Sequence, residues 1–126
     1  MIVLDTAVLL YWTLARDELS PRAAQAIDGA QEIIISSISI WEIGLKAKRG
    51  KLGLPLPVRE YVERLLEAER VRIMPVTEAT WLANLELPWD HKDPADRTIV
   101  ATAGLLGCPL ITSDREMLSY YTAAIW

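Results

Sequence analysis

The chain has one cysteine, one histidine, no long uninterrupted apolar stretch and no excess of positive charge. Each shortage removes a class of protein. Cys108 alone cannot form an intramolecular disulfide, so packing must hold the fold together and a reducing compartment is expected. No terminal segment joins a basic start to a long apolar run, which argues against export or membrane insertion and makes a cytoplasmic location the expectation. A net charge of −4 argues against a protein that simply coats nucleic acid, because such binding draws on a broad positive surface. Repeats, low-complexity tracts and long linkers are also missing, so residues 1–126 read as a single domain.

What the sequence has is apolar residues, 52% of the total, dealt out in short runs. "MIVLD" is a strand ending in an acid, and it feeds "TAVLLYWTLA", a helix that Asp5 or Thr6 can cap. "SPRAAQAIDGA" opens with a helix-start serine and proline, and the β-branched "EIIISS" is a second strand. "ISIWEIGLKAKRG" follows as a helix closed by basic residues and Gly50. After the break at "KLGLPLP", "VREYVERLLEAE" spaces Val58, Tyr61, Val62, Leu65 and Leu66 as one amphipathic face. "RVRIMPV" predicts a strand and Thr77 caps "EATWLANLEL". A helix then runs from Pro94 to about Leu106. "CPLITSD" is another strand ending in an acid, and "AAIW" a weak edge strand. This alternation predicts a three-layer α/β/α sandwich around a mainly parallel sheet.

In such a sheet ligands bind beyond the carboxyl ends of the strands. Asp5 and Asp114 each end a predicted strand. Glu42 and Asp96 lie in the first turns of helices that begin at the same edge. Topology therefore gathers Asp5, Glu42, Asp96 and Asp114 into one cleft. Carboxylates so placed repel one another, and a hard divalent cation such as Mg²⁺ or Mn²⁺ resolves the conflict. A metal held this way suits phosphodiester hydrolysis.

Every acid also has an ordinary explanation. Asp5 can cap the first helix, Glu42 can pair with Lys46 four residues on, and Asp93 is most simply the cap before Pro94. Ser113 and Glu116 fit a capping box that leaves Asp114 as helix-start charge. Joint placement at one edge, rather than any single residue, favours the metal centre.

"VLDT", "SISIWEI", "HKDPADRTIVATA" and "LITSD" match, in order, the four acidic motifs of PIN-domain ribonucleases, and the chain most resembles the VapC-type toxins of toxin-antitoxin systems. The resemblance covers nearly the whole chain and implies a PIN-like fold and a metal-dependent endoribonuclease, with Asp5, Glu42, Asp96 and Asp114 at the metal. Thr6, Ser39, Asp93, Thr112 and Ser113 are then candidates for residues standing behind the ligands, Thr112 orienting a carboxylate or water. Where many members carry histidine or serine after the acid-threonine pair, this chain has Ala7.

The cluster "KAKRGK" supplies Lys46, Lys48, Arg49 and Lys51 as a locally positive RNA path, against the plainer role of cations at a helix end. His91 and Arg97 are further RNA-contact candidates, Arg97 being more simply read as a structural salt bridge with Asp93 or Glu42. Trp12, Trp41, Trp81 and Trp89 are expected in the core or an interface rather than as base-stacking platforms. Cys108 is expected to be a small buried apolar residue. The resemblance also implies a cognate antitoxin and a homodimer or toxin-antitoxin hetero-oligomer, with the segment from Pro57 to Glu69 and "GLPLP" offering apolar surface. Ala7 argues against an aspartyl-phosphate phosphatase, which needs an aspartate there. A phosphorylation receiver lacks its paired early acids and late lysine. The remaining competitor is a non-catalytic PIN-fold module that binds RNA or protein.

Overall fold

The computed structural model describes residues 1–126 as a five-stranded sheet flanked by seven helices. The strands are β1 (Ile2–Leu4), β2 (Ile33–Ser36), β3 (Val71–Met74), β4 (Leu110–Ile111) and β5 (Ala124–Ile125). They lie in the order β3-β2-β1-β4-β5, and every neighbouring pair is parallel. The three-layer, parallel arrangement expected from the strand–helix alternation is the one observed, with "AAIW" at the sheet edge.

The strands are short and mostly apolar, fully buried in β1, β2 and β4, whose two faces are both covered, and partly exposed in β3 and β5. Successive side chains point to opposite faces. Ile2, Leu4, Ile33, Ile35 and Ile111 accordingly enter one core, with Val8, Leu9, Ala23, Ile27, Ile43, Tyr61 and Leu65 from the helices on that side. Val3, Ile34 and Leu110 enter the other, against Ile99, Val100, Ala103, Cys108 and Met117. Complete burial of such side chains contributes about 1.5–3 kcal/mol each.

The helices are α1 (Thr6–Leu14), α2 (Pro21–Gly29), α3 (Ser37–Lys48), α4 (Val58–Glu67), α5 (Glu78–Glu86), α6 (Pro94–Leu106) and α7 (Arg115–Tyr120). Their starts follow the expected chemistry. Asp5 accepts from the Val8 N–H at 2.7 Å, Ser20 caps α2 ahead of Pro21, and Asp93 accepts from the Ala95 and Asp96 N–H groups ahead of Pro94. Gly107 closes α6 at φ +63, where a side chain would be strained. A short 3₁₀ turn at Arg16–Glu18, not foreseen in the sequence, joins α1 to α2.

Strand β1 holds the centre. The chain steps from it to β2 and β3 on one side and later to β4 and β5 on the other, so the strand order reverses beside β1. A crevice opens at that switch point beyond the carboxyl ends of the strands. Leu4 is in register with both Ile35 and Ile111, which brings Asp5, Ser36 and Thr112 to the same level at its mouth.

Candidate metal centre

Four separate segments deliver carboxylates to this crevice. A cavity of about 170 Å³ is lined by Asp5, Thr6, Ala7, Glu42, Lys46, Asp96, Ser113 and Asp114. The acids gathered by topology in the sequence reading thus share one wall-to-wall space.

Asp5 is the deepest, 5% exposed. Its Oδ1 accepts from Val8 N–H and its Oδ2 from the hydroxyl of fully buried Thr112. Burial above all, reinforced by the nearby charges of Asp96 and Asp114, pushes its pKa up to about 6 despite those two donors. Burial likewise raises Glu42 and Asp96, with Asp93 adding repulsion to both. Asp114 caps α7 by accepting from the Glu116 and Met117 N–H groups through Oδ1. It is therefore the cap itself, and the expected Ser113–Glu116 capping box does not form, because Glu116 turns instead to His91.

Glu42 does not pair with Lys46. Its Oε1 accepts from the Thr6 hydroxyl, which also meets the hydroxyl of Ser39 at 2.8 Å. Ser39 and Thr112 are fully buried, so Thr6, Ser39 and Thr112 form a hydroxyl layer beneath the carboxylates. Asp93 turns its side chain to the N-terminus of α6, and Ser113 lines the cavity.

The set suits a hard divalent cation. All its donors are oxygen, and Glu42, Asp96 and Asp114 each commit one carboxylate oxygen to the protein and leave the other uncommitted. As placed, no three His, Cys, Asp or Glu side chains stand together as a group that could hold a metal ion. A cation here would take one or two carboxylates and complete its shell with water. Burial is the main cause that raises Asp5, Glu42 and Asp96, with neighbouring acids adding to it, and a dication bound among them would favour their charged forms.

The stretch "WDHKDPADR" builds the rim. His91 Nε2 lies 2.8 Å from Asp96 Oδ2, and Nδ1 meets Glu116 Oε2. Both ring nitrogens are thus engaged by protein carboxylates, and these partners raise the imidazole pKa. The ring stacks on Trp89 at 4.6 Å, and Trp89 stacks on Tyr120 at 4.7 Å.

Arg97 corrects the sequence reading. It forms no ion pair, and its guanidinium is committed to backbone carbonyls and one side-chain amide. All five guanidinium N–H groups are spent on Asn84 Oδ1 and the carbonyls of Asn84, Leu87, Trp89 and His91. These carbonyls lie at the C-terminus of α5 and in the following loop; those of Asn84 and Leu87 also accept a backbone N–H, and a rigid five-donor fork reaches all four together.

Among the cations, Lys46 lines the acidic cavity, and a neighbouring cavity takes in Lys46, Arg49 and Lys51; Lys48 lies outside both. Trp12 and Trp89 pack against the two cores as expected, and Cys108 is buried. Trp41 and Trp81 are 60% and 45% exposed and belong to neither core. Two features escaped the sequence reading, the Glu116 contact to His91 and the Tyr120–Trp89–His91 stack. Both join the loop carrying Trp89 and His91 to α7, and no local periodicity signals such pairs.

The PIN domain family matches residues 2–122. Ribonuclease VapC22 of Mycobacterium tuberculosis is 35% identical over 120 residues, spanning 94% of this chain and 91% of that protein. Among solved structures, a toxin-antitoxin complex from Klebsiella pneumoniae superposes with a TM-score of 0.72 at 20% identity, covering 100% of this chain and 97% of that one. FitAcB from Neisseria gonorrhoeae gives 0.67 at 21% identity, with 100% and 96% covered. At these identities the structural likeness speaks for the fold. No helix is long and apolar enough to cross a membrane.

Proposed function

The chain belongs to the PIN-domain family, in the company of a VapC ribonuclease, and from that premise we propose that it is a metal-dependent endoribonuclease acting as the toxin of a toxin-antitoxin pair. One observation carries the assignment to residues: Asp5, Glu42, Asp96 and Asp114, from four distant segments, line one cavity at the switch point of the sheet.

Asp5, Asp96 and Asp114 would hold Mg²⁺ or Mn²⁺, with Glu42 completing the set or holding a water. The cation supplies Lewis-acid chemistry, offsetting the charge that builds on the phosphoryl oxygens during in-line attack. The protein does the positioning. Thr112 and the Val8 N–H hold Asp5 in place, and Thr6 orients Glu42 from the buried Ser39 hydroxyl. His91 steadies Asp96 through one nitrogen while Glu116 holds the other. Glu42, its pKa raised by burial, is placed to take a proton from attacking water. Lys46 stands in the same cavity to meet a phosphate, and Arg49 and Lys51 extend the positive path along the substrate strand. A cognate antitoxin covering this acidic cleft would silence the activity, and the working assembly would be a homodimer or toxin-antitoxin hetero-oligomer in the cytoplasm.

The decisive experiment incubates total cellular RNA with antitoxin-free protein, with Mg²⁺, with Mn²⁺ and with chelator, beside Asp5→Asn as a contamination control. Discrete metal-dependent fragments that the variant does not make are expected. Intact RNA from folded protein in both metals would leave a non-catalytic binding module instead.

A further inference from the structure

Helix α3 presents two neighbouring stripes to the crevice region. Glu42 and Lys46, four residues apart, line the acidic cavity. Trp41, Leu45 and Arg49, at the same spacing, line a second cavity of about 280 Å³ with Lys51, closed on its far side by Asp93, Pro94 and Ala95 at the start of α6. Glu42 and Lys46 belong to both, so the two spaces are continuous over one turn of helix. The indole of Trp41 is 60% exposed, stacks on no other ring and enters neither core.

A singly exposed indole is ordinary on a protein surface, and it is the flanking charges that set this one apart. Lys46, Arg49 and Lys51 form a concentrated positive edge on a chain of net charge −4, and a flat apolar ring bordered by cations is the combination that grips a single nucleic-acid strand. Trp81 lacks this setting, being exposed on α5 with no lining cation and no cavity beside the acids.

We propose that Trp41 is a base-stacking platform for the substrate RNA, seating the nucleotide that leaves the acidic cavity over Glu42 and Lys46 while Arg49 and Lys51 hold its phosphates. This rests on the RNA-cleaving reading above and adds to it a subsite and a path for the strand. Lys48, outside the cavity, has no part in it.

The test measures the Kd of a labelled single-stranded oligoribonucleotide in chelator, and kcat and KM for its cleavage in Mg²⁺, for wild type, Trp41→Ala, Trp41→Tyr, Trp81→Ala and Lys48→Ala. Trp41→Ala is expected to weaken binding about tenfold and to raise KM with little change in kcat, while Trp41→Tyr recovers most of the loss. The slope of log K against log salt should be unchanged in Trp41→Ala, which removes no charge, and Trp81→Ala and Lys48→Ala should bind like wild type. Unchanged affinity in Trp41→Ala, with wild type still cutting RNA, overturns the platform alone. If that variant also sediments as a smaller species than wild type, the exposed indole serves a contact between copies of the chain instead. Wild type that neither binds nor cleaves RNA overturns both this inference and the activity beneath it.

Discussion

Arg97 shows how a charged side chain beside a proposed metal ligand can serve the fold. Its five hydrogen bonds gather carbonyls from Asn84, Leu87, Trp89 and His91, so the loop carrying His91 is tied to the end of α5. Lysine has three donors on a flexible stem and cannot span those acceptors. Arg97→Lys should therefore lower stability by about 2 kcal/mol in a denaturant titration, through carbonyls left unmatched. It should also slow cleavage by loosening His91 against Asp96, while leaving the salt dependence of RNA binding as it is. A shallower salt slope would mean that Arg97 meets phosphate after all. The sequence points to a carboxylate or a phosphate as the partner of Arg97, yet five donors suit backbone carbonyls as well. The choice follows from the α5 end arriving beside it.

At the level of elements, helix starts do two jobs. Asp5, Asp93 and Asp114 cap α1, α6 and α7, so the geometry that satisfies free N–H groups also presents carboxylates at the carboxyl edge of the sheet. The ordinary and functional explanations of Asp5 and Asp114 are thus compatible: one oxygen caps and charge remains for a cation. Asp114→Asn separates the roles. Asparagine caps about as well as aspartate, so thermal stability without metal should shift by only a few tenths of a kcal/mol, whereas Asp114→Ala should lose about 1 kcal/mol. Both should abolish cleavage. An Asn variant as unstable as the Ala variant would show that charge at the start of α7, not the cap, holds the helix. Element boundaries were legible because caps, prolines and Gly107 mark them in the sequence. The capping box expected at Ser113 was not, since its Glu116 is drawn away by His91 from a distant loop.

Over the whole molecule the acids trade stability for a site. Asp5 is 3.8 in ordinary surroundings and about 6 in the fold, so the folded state holds its proton more tightly than the unfolded chain. Stability from this group is greatest below the unfolded value and falls as pH rises through the folded one, by about 3 kcal/mol in all. Glu42 and Asp96 are raised in the same sense, and His91, raised by its carboxylates, also loses its contribution as pH rises through its folded value. Metal-free protein should accordingly melt at lower temperature as pH climbs from about 4 to about 7, with Asp5→Asn flattening the trend. Mg²⁺ or Mn²⁺ competes with these protons, so its stabilising effect should grow over the same interval. Thermal scans across pH, with and without metal, check both; a metal response that is absent at neutral pH would count against the ligand set.

The sequence by itself determined the alternation of strands and helices, the caps, and the order in which acids reach the carboxyl edge, because these depend on local periodicity and on the single rule that parallel strands point one way. Only the tertiary structure decided what each polar group touches. Arg97 went to carbonyls, Glu42 to Thr6 instead of Lys46, His91 to two carboxylates, and Trp41 to solvent beside a basic groove. Such choices turn on which partner arrives at hydrogen-bond distance from elsewhere in the chain, and spacing along the sequence does not encode that distance.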